Sequence, residues 1–86
     1  MRRVLFEKQA FEDLKYWSSA EPKIIRKIID LISDIQKHPF DGIGKPEPLK
    51  HQLRGFWSRR ISDEHRLVYF VDEKTVVIAS CRYHYK

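Results

Sequence analysis

Eighty-six residues are enough for one domain with a single modest core, and the expected organisation is one domain over residues 1–86. With 42% hydrophobic and 34% charged residues the chain reads as folded and soluble rather than disordered, and its apolar runs are too short to cross a bilayer. The net charge of +5 sits mostly in the second half, since residues 45–86 hold nine Lys/Arg against five Asp/Glu, which suits phosphate-bearing or acidic partners. No signal-peptide pattern is visible, and the single cysteine, Cys81, excludes an internal disulfide, so a reducing, cytoplasmic compartment is expected.

In chain order, Arg3-Val4-Leu5-Phe6 reads as a short strand. An amphipathic helix follows from Glu7 to about Ser18, with Ala10, Phe11, Leu14 and Trp17 on one stripe. Ser18, Ser19, Ala20 and Glu21 break it, and Pro22 fits the first turn of a second helix reaching Lys37. That helix carries Ile24, Ile25, Ile28, Ile32 and Ile35 on a broad apolar face, with Asp30 and Asp34 mostly elsewhere; His38-Pro39 ends it. The short link implies an antiparallel helical hairpin whose apolar face must cover something. Trp17 and Tyr16 read as packing residues.

From Leu49 the period changes to that of strands: Leu49 to Leu53, Phe56 to Ile61, Arg66 to Val71 and Thr75 to Arg82, with tight connections at Arg54-Gly55 and Asp72-Glu73-Lys74. Links this short predict an antiparallel meander. The expected class is α+β, a short N-terminal strand and a helical hairpin packed on an antiparallel sheet whose other face stays open.

Between the two halves lies Gly42-Ile43-Gly44-Lys45-Pro46-Glu47-Pro48-Leu49-Lys50-His51. The glycines permit unusual dihedrals, and Pro46 and Pro48 hold Glu47 extended, so the stretch reads either as a stiff linker or as a rigid loop presenting one acid. Arg59, Arg60, Arg66 and Arg82 fall on neighbouring predicted strands, and His84 lies two residues past Arg82, on its face if the strand runs that far. The even spacing to Arg66 favours Arg60 over Arg59 as its companion, provided no bulge intervenes. Such arginines are either a solvated face or a phosphate-binding one, the guanidinium fork being well matched to a phosphodiester.

A fixed Glu, a terminal His and two or three Arg suit in-line cleavage of RNA. A carboxylate takes the 2′-hydroxyl proton, an imidazole protonates the leaving 5′-oxygen, and cations steady the phosphorane between them. Other chemistries find less support. His38, His51, His65 and His84 lack zinc-ligand spacing, Cys81 reads as a packed thiol, and no phosphate-binding glycine loop or nucleophile elbow is present. No metal or cofactor is expected.

The run Pro39-Phe40-Asp41-Gly42-Ile43-Gly44-Lys45-Pro46-Glu47-Pro48-Leu49-Lys50-His51 resembles the corresponding segment of YoeB-type toxins of the RelE/ParE superfamily. So do Gly55-Phe56-Trp57-Ser58-Arg59-Arg60-Ile61, Glu64-His65-Arg66-Leu67-Val68-Tyr69 and Cys81-Arg82-Tyr83-His84-Tyr85, in order and without gaps; Lys86 extends past the family's final tyrosine. The resemblance implies the RelE-like microbial RNase fold and a ribosome-dependent mRNA endonuclease that cuts in the ribosomal A site and halts translation. It assigns Glu47 as general base, His84 as general acid and Arg66 as the phosphate-stabilising arginine. Lys50 and Arg60 become electrostatic contributors, and Tyr85 orients the nucleotide. It further implies docking on ribosomal RNA, a homodimer, and a cognate YefM-like antitoxin whose acidic, partly disordered tail folds over the toxin. Two other functions remain open: a gyrase-poisoning toxin of the same superfamily, which needs no acid–base pair, and a non-catalytic RNA-binding module in which Glu47 only braces its loop.

Overall fold

The structure is a computed structural model, and it describes residues 1–83. Strand β1 (Arg3–Phe6) leads into helix α1 (Lys8–Ala20) and helix α2 (Pro22–Lys37). Strand β2 (Glu47–Pro48), a 3-10 turn (His51–Leu53), and strands β3 (Trp57–Arg60), β4 (Arg66–Val71) and β5 (Thr75–Ser80) follow. The strands form one sheet in the order β1-β5-β4-β3-β2.

From β2 to β5 the pairing is antiparallel, while β1 joins the far edge parallel to β5, with Val4 opposite Val76 and Phe6 opposite Ile78. The sheet is therefore mixed. The helical hairpin supplies the crossover that a parallel neighbour needs.

Both helices cover one face of the sheet. Ala10 and Trp17 of α1 and Ile28, Leu31, Ile32 and Ile35 of α2 pack with Leu67, Tyr69, Val76 and Ile78 into one buried cluster. A fully buried aliphatic side chain is worth about 1.5–3 kcal/mol, so Ile28, Leu31 and Ile35 of α2, all fully buried, contribute substantially to the core. Pro22 begins α2 at its first turn, and the His38 N–H closes it on the Asp34 carbonyl.

Four local expectations change. First, α1 continues through Ala20, so Glu21 alone separates the helices. Its inward stripe is Ala10, Asp13 and Trp17 with Leu14 partly buried, while Phe11 is 55% exposed. Second, Leu49–Leu53 is not a strand: pairing is limited to Glu47–Pro48, and the chain then turns at His51, whose φ is 58°. Two prolines without N–H groups cannot sustain a longer ladder. Third, β3 is shorter than Phe56 to Ile61, ending at Arg60. Fourth, β5 stops at Ser80, with a register shift where Tyr69 pairs Ile78 but Val68 pairs Ser80. That extra residue flips the alternation, so Ser80 shares the open face with Val68 and Cys81 turns inward.

Candidate active site

The loop that carries Glu47 is built around Arg59. This side chain is fully buried, and its guanidinium has every donor used. Nε donates to the Tyr69 hydroxyl (3.2 Å), and Nη1 to the Asp34 carboxylate and the Ile43 carbonyl (3.0 Å). Nη2 donates to the carbonyls of His38 and Asp41 (2.8 Å to the latter). Five bonds match the five N–H groups of a guanidinium. The Tyr69 hydroxyl in turn donates to the Pro39 carbonyl at 2.7 Å, and the Ile43 N–H donates to Asp34. The stretch from His38 to Ile43, which has no repetitive structure of its own, is thus hung on one cation.

Burial pushes the Asp34 carboxyl up, but hydrogen bonds from Arg59 and the Ile43 N–H, with the Arg59 charge, outweigh it and hold the group below its ordinary value. Burial also raises the Tyr69 hydroxyl, opposed by Arg59. Gly42 closes the arrangement: its φ is +115°, and a Cβ there would lie 2.0 Å from the Asp34 carboxylate oxygen. The loop then returns to the sheet through the Arg60 N–H, which donates to the Gly44 carbonyl at 2.7 Å.

Beyond that point the register places the charged residues. Glu47 pairs with Ser58 and Ser58 with Val68, so these three share the face away from the helices, where Ser58 and Val68 are themselves buried; Arg60 pairs with Arg66 one row further on the same face. Strand spacing puts the Cα atoms of Glu47 and Arg66 roughly 12 Å apart, so side chains of Glu and Arg length can meet on a group bound between them. Arg60 is exposed; Arg66 is half-buried, and its Nη1 donates to the carbonyls of Ser62 (2.6 Å), Asp63 (3.3 Å) and His65 (3.0 Å). Beside Glu47, the residues Glu47 to Leu53 line a hollow of about 500 Å³ that includes Lys50 and His51.

The opposite side of the arginine pair is occupied by the residues that follow β5, Cys81 to Tyr83. Helix α1 grips Cys81 at both backbone groups: its N–H donates to the Asp13 carboxylate (2.9 Å), and its carbonyl accepts from Trp17 Nε1 (2.8 Å). Burial, with Asp13 nearby, pushes the Cys81 thiol up to about 12, so it stays protonated and inert. Two residues later the Tyr83 carbonyl accepts the Arg66 N–H at 3.0 Å, and the Tyr83 N–H donates to His65 Nδ1 at 2.7 Å. Glu47 and Tyr83 therefore flank Arg60 and Arg66 from opposite sides.

Of the residues singled out from sequence, Glu47, Arg60 and Arg66 come to this end of the open face, and Lys50 lines the hollow beside Glu47. Arg59 does not. It belongs to the helix side of β3, and with all five donors spent on protein it is a loop anchor rather than a phosphate ligand. Asp34, assigned away from the apolar face, is its half-buried partner. Arg82 also departs from expectation: with β5 ended at Ser80 and Tyr83 in a left-handed conformation (φ 64°), alternation no longer applies. Its guanidinium instead lies 3.4 Å from the Tyr16 ring centroid and 4.5 Å from that of Tyr83. His84 and Tyr85 lie outside the described residues. Sequence reasoning missed Asp13 and His65, which hold the backbone N–H groups of Cys81 and Tyr83. Asp13 was legible as an acid in step with Ala10 and Trp17 on the inward stripe of α1.

Residues 6–85 match the model of a family described as YoeB-like toxin of bacterial type II toxin-antitoxin system. Toxin YoeB of Escherichia coli strain K12 is 51% identical over 83 residues, 96% of this chain and 99% of that protein. The structure of the YoeB dimer from Staphylococcus aureus superposes with a TM-score of 0.91 at 49% identity, covering 98% of each chain. The YoeB–YefM complex from the same organism gives 0.89 at 49% identity over 99% of each. With nearly the whole chain matched by family, sequence and fold alike, it belongs to the YoeB-like toxins of bacterial type II toxin–antitoxin systems.

Proposed function

We propose that this toxin is an endoribonuclease that cleaves mRNA in the ribosomal A site by general acid–base catalysis, and so stops translation. The observation that carries the reading is the flanking of the Arg60–Arg66 pair by Glu47 on one side and the anchored Tyr83 on the other. His84, the proposed acid, is the next residue in the sequence after Tyr83.

In this scheme Glu47 removes the proton from a 2′-hydroxyl, and that oxygen attacks the adjacent phosphorus in line. Arg66 and Arg60, with Lys50, balance the charge that gathers on the phosphorane oxygens. His84 gives its proton to the departing 5′-oxygen, and Tyr85 holds the neighbouring base by stacking. The bond broken is P–O5′ and the bond formed is P–O2′. The products are therefore a 2′,3′-cyclic phosphate and a free 5′-hydroxyl. Both proton transfers are made by side chains, so the scheme calls on no metal or cofactor.

The relatives extend the reading to partners. A YoeB dimer and a YoeB–YefM complex from Staphylococcus aureus support a homodimer of this chain and its neutralisation by a YefM-like antitoxin. An acidic antitoxin tail suits a half-chain with a surplus of four positive charges, as do ribosomal RNA phosphates.

The test is to add the protein to a purified translation system and define both new RNA ends chemically. Cuts confined to codons in the A site, bearing 2′,3′-cyclic phosphate and 5′-hydroxyl, are expected. Intact mRNA on stalled or freely translating ribosomes, or ends carrying a 5′-phosphate, would refute the mechanism.

A further inference from the structure

We infer that His65 is a positioning residue for cleavage, acting through the backbone of Tyr83, the residue that precedes the proposed acid His84 in the sequence. The inference rests on the nuclease reading above, which gives His84 its role. His65 lies in the connection between β3 and β4, immediately before Arg66. Its backbone is tied within that connection: the N–H donates to Ser62 Oγ (3.2 Å), and the carbonyl accepts from the N–H groups of Ile61 (3.0 Å) and Ser62 (3.2 Å) and from Arg66 Nη1 (3.0 Å). Its ring stands edge-on to Trp17, centroids 4.8 Å apart at 89°, and Trp17 is itself fixed by its bond to the Cys81 carbonyl. The imidazole has little freedom to turn.

What that fixed ring does is accept a hydrogen bond. Nδ1 takes the Tyr83 N–H at 2.7 Å, which requires Nδ1 to be unprotonated. Tyr83 has φ 64°, a left-handed conformation that bulky side chains rarely adopt and that persists only where surrounding contacts impose it. Two contacts do so here: His65 Nδ1 holds the Tyr83 N–H, and the Arg66 N–H holds the Tyr83 carbonyl at 3.0 Å. One side chain and the adjacent backbone thus fix both polar groups of the last residue before His84. With Tyr83 held beside Arg66, the proposed acid that follows Tyr83 in the sequence has less chain to order before it can serve a phosphate bound there.

Two substitutions separate this role from packing. His65→Phe keeps a ring against Trp17 and removes the acceptor; His65→Asn shrinks the ring but places an amide oxygen near the position of Nδ1. The readouts are the maximal rate and half-saturating concentration for mRNA cleavage on ribosomes, with Glu47→Gln alongside. In ¹⁵N-labelled protein, the scalar coupling across the Tyr83 N–H···Nδ1 bond gives a second readout.

The parent should show the coupling. His65→Phe should lose about 10²-fold in maximal rate, the scale of a misplaced catalytic group, with little change in the half-saturating concentration. His65→Asn should recover most of that loss. A parent without the coupling, His65→Phe at the parental rate, or His65→Asn no better than His65→Phe would each overturn the inference. If Glu47→Gln cleaves as fast as the parent, the nuclease reading fails instead, and the coupling measurement still decides whether His65 holds Tyr83.

Discussion

Arg59 shows how much of the candidate site depends on a residue buried on the other side of the strand. A fully buried guanidinium with five protein acceptors is an ion that the fold has committed to one geometry, and removing either member of such a pair strands the other. Arg59→Met should cost about 3–5 kcal/mol in urea unfolding, by analogy with other broken buried pairs. Arg59→Lys should recover only part of that, because a single ammonium cannot serve four separated oxygens and a hydroxyl. The Asp34 partner adds a pH dependence. Its folded value lies below the ordinary value of an aspartate, so the stabilisation is complete above the unfolded value and is lost as the pH falls through the folded one. Unfolding midpoints measured from pH 5 down to pH 2 should fall more steeply for the parent than for Asp34→Asn. Equal slopes would contradict the pairing. The signal for Arg59 was present in the sequence: Trp57, Arg59 and Ile61 alternate on one face of a strand, so the charge stands between two apolar residues. What could not be read was the partner, because Asp34 and Arg59 come from different elements 25 residues apart.

At the scale of elements, two irregular segments do the positioning and the regular ones support them. The loop from His38 to Glu47 depends on Gly42, where a side chain would collide with Asp34 and where φ is +115°. Gly42→Ala should therefore destabilise by about 1–3 kcal/mol, the range for backbone held in a sparsely populated region. It should also slow cleavage, since Glu47 follows on the same loop. The second segment is the exit from β5, where α1 holds Cys81. Its thiol, raised to about 12 by burial and by Asp13, reports on that grip. Alkylation at pH 8 should be slow in the native protein, fast in denaturant, and accelerated in Asp13→Asn; a thiol that reacts at once in the parent would mean the exit is not clamped. The extents of α2 and β4 were plain from pattern alone, with apolar spacing in the first and a β-branched and aromatic run in the second. The ends of β3 and β5 were not. A bulge and a left-handed Tyr83 are decided by tertiary contacts that periodicity does not record, while the limit that Pro46 and Pro48 set on β2 was in the sequence.

The molecule as a whole divides its labour by face. One side of the sheet is sealed by the helical hairpin, and the other presents Glu47, Arg60 and Arg66 from strands whose register is fixed by the buried side. Alternation foretold that Arg60 rather than Arg59 would share a face with Arg66; the parallel attachment of β1 beside β5 lay beyond it, because nothing in four residues of strand names a partner. The surplus of positive charge in residues 45–86 should act at this same scale. Ribosome affinity is expected to fall steeply with added salt, at a slope of about 0.7–0.9 per phosphate neutralised, and a flat response would contradict the electrostatic part of docking.

The most direct trial of the account is a single-turnover measurement of mRNA cleavage on programmed ribosomes by the parent, Glu47→Gln, His84→Gln and the double variant. If one acid and one base act on the same phosphate, each single change should slow cleavage by about 10²–10⁴-fold. The double change should cost far less than the product of the two, since residues acting as a unit are not additive. Cleavage by both single variants at the parental rate would contradict it.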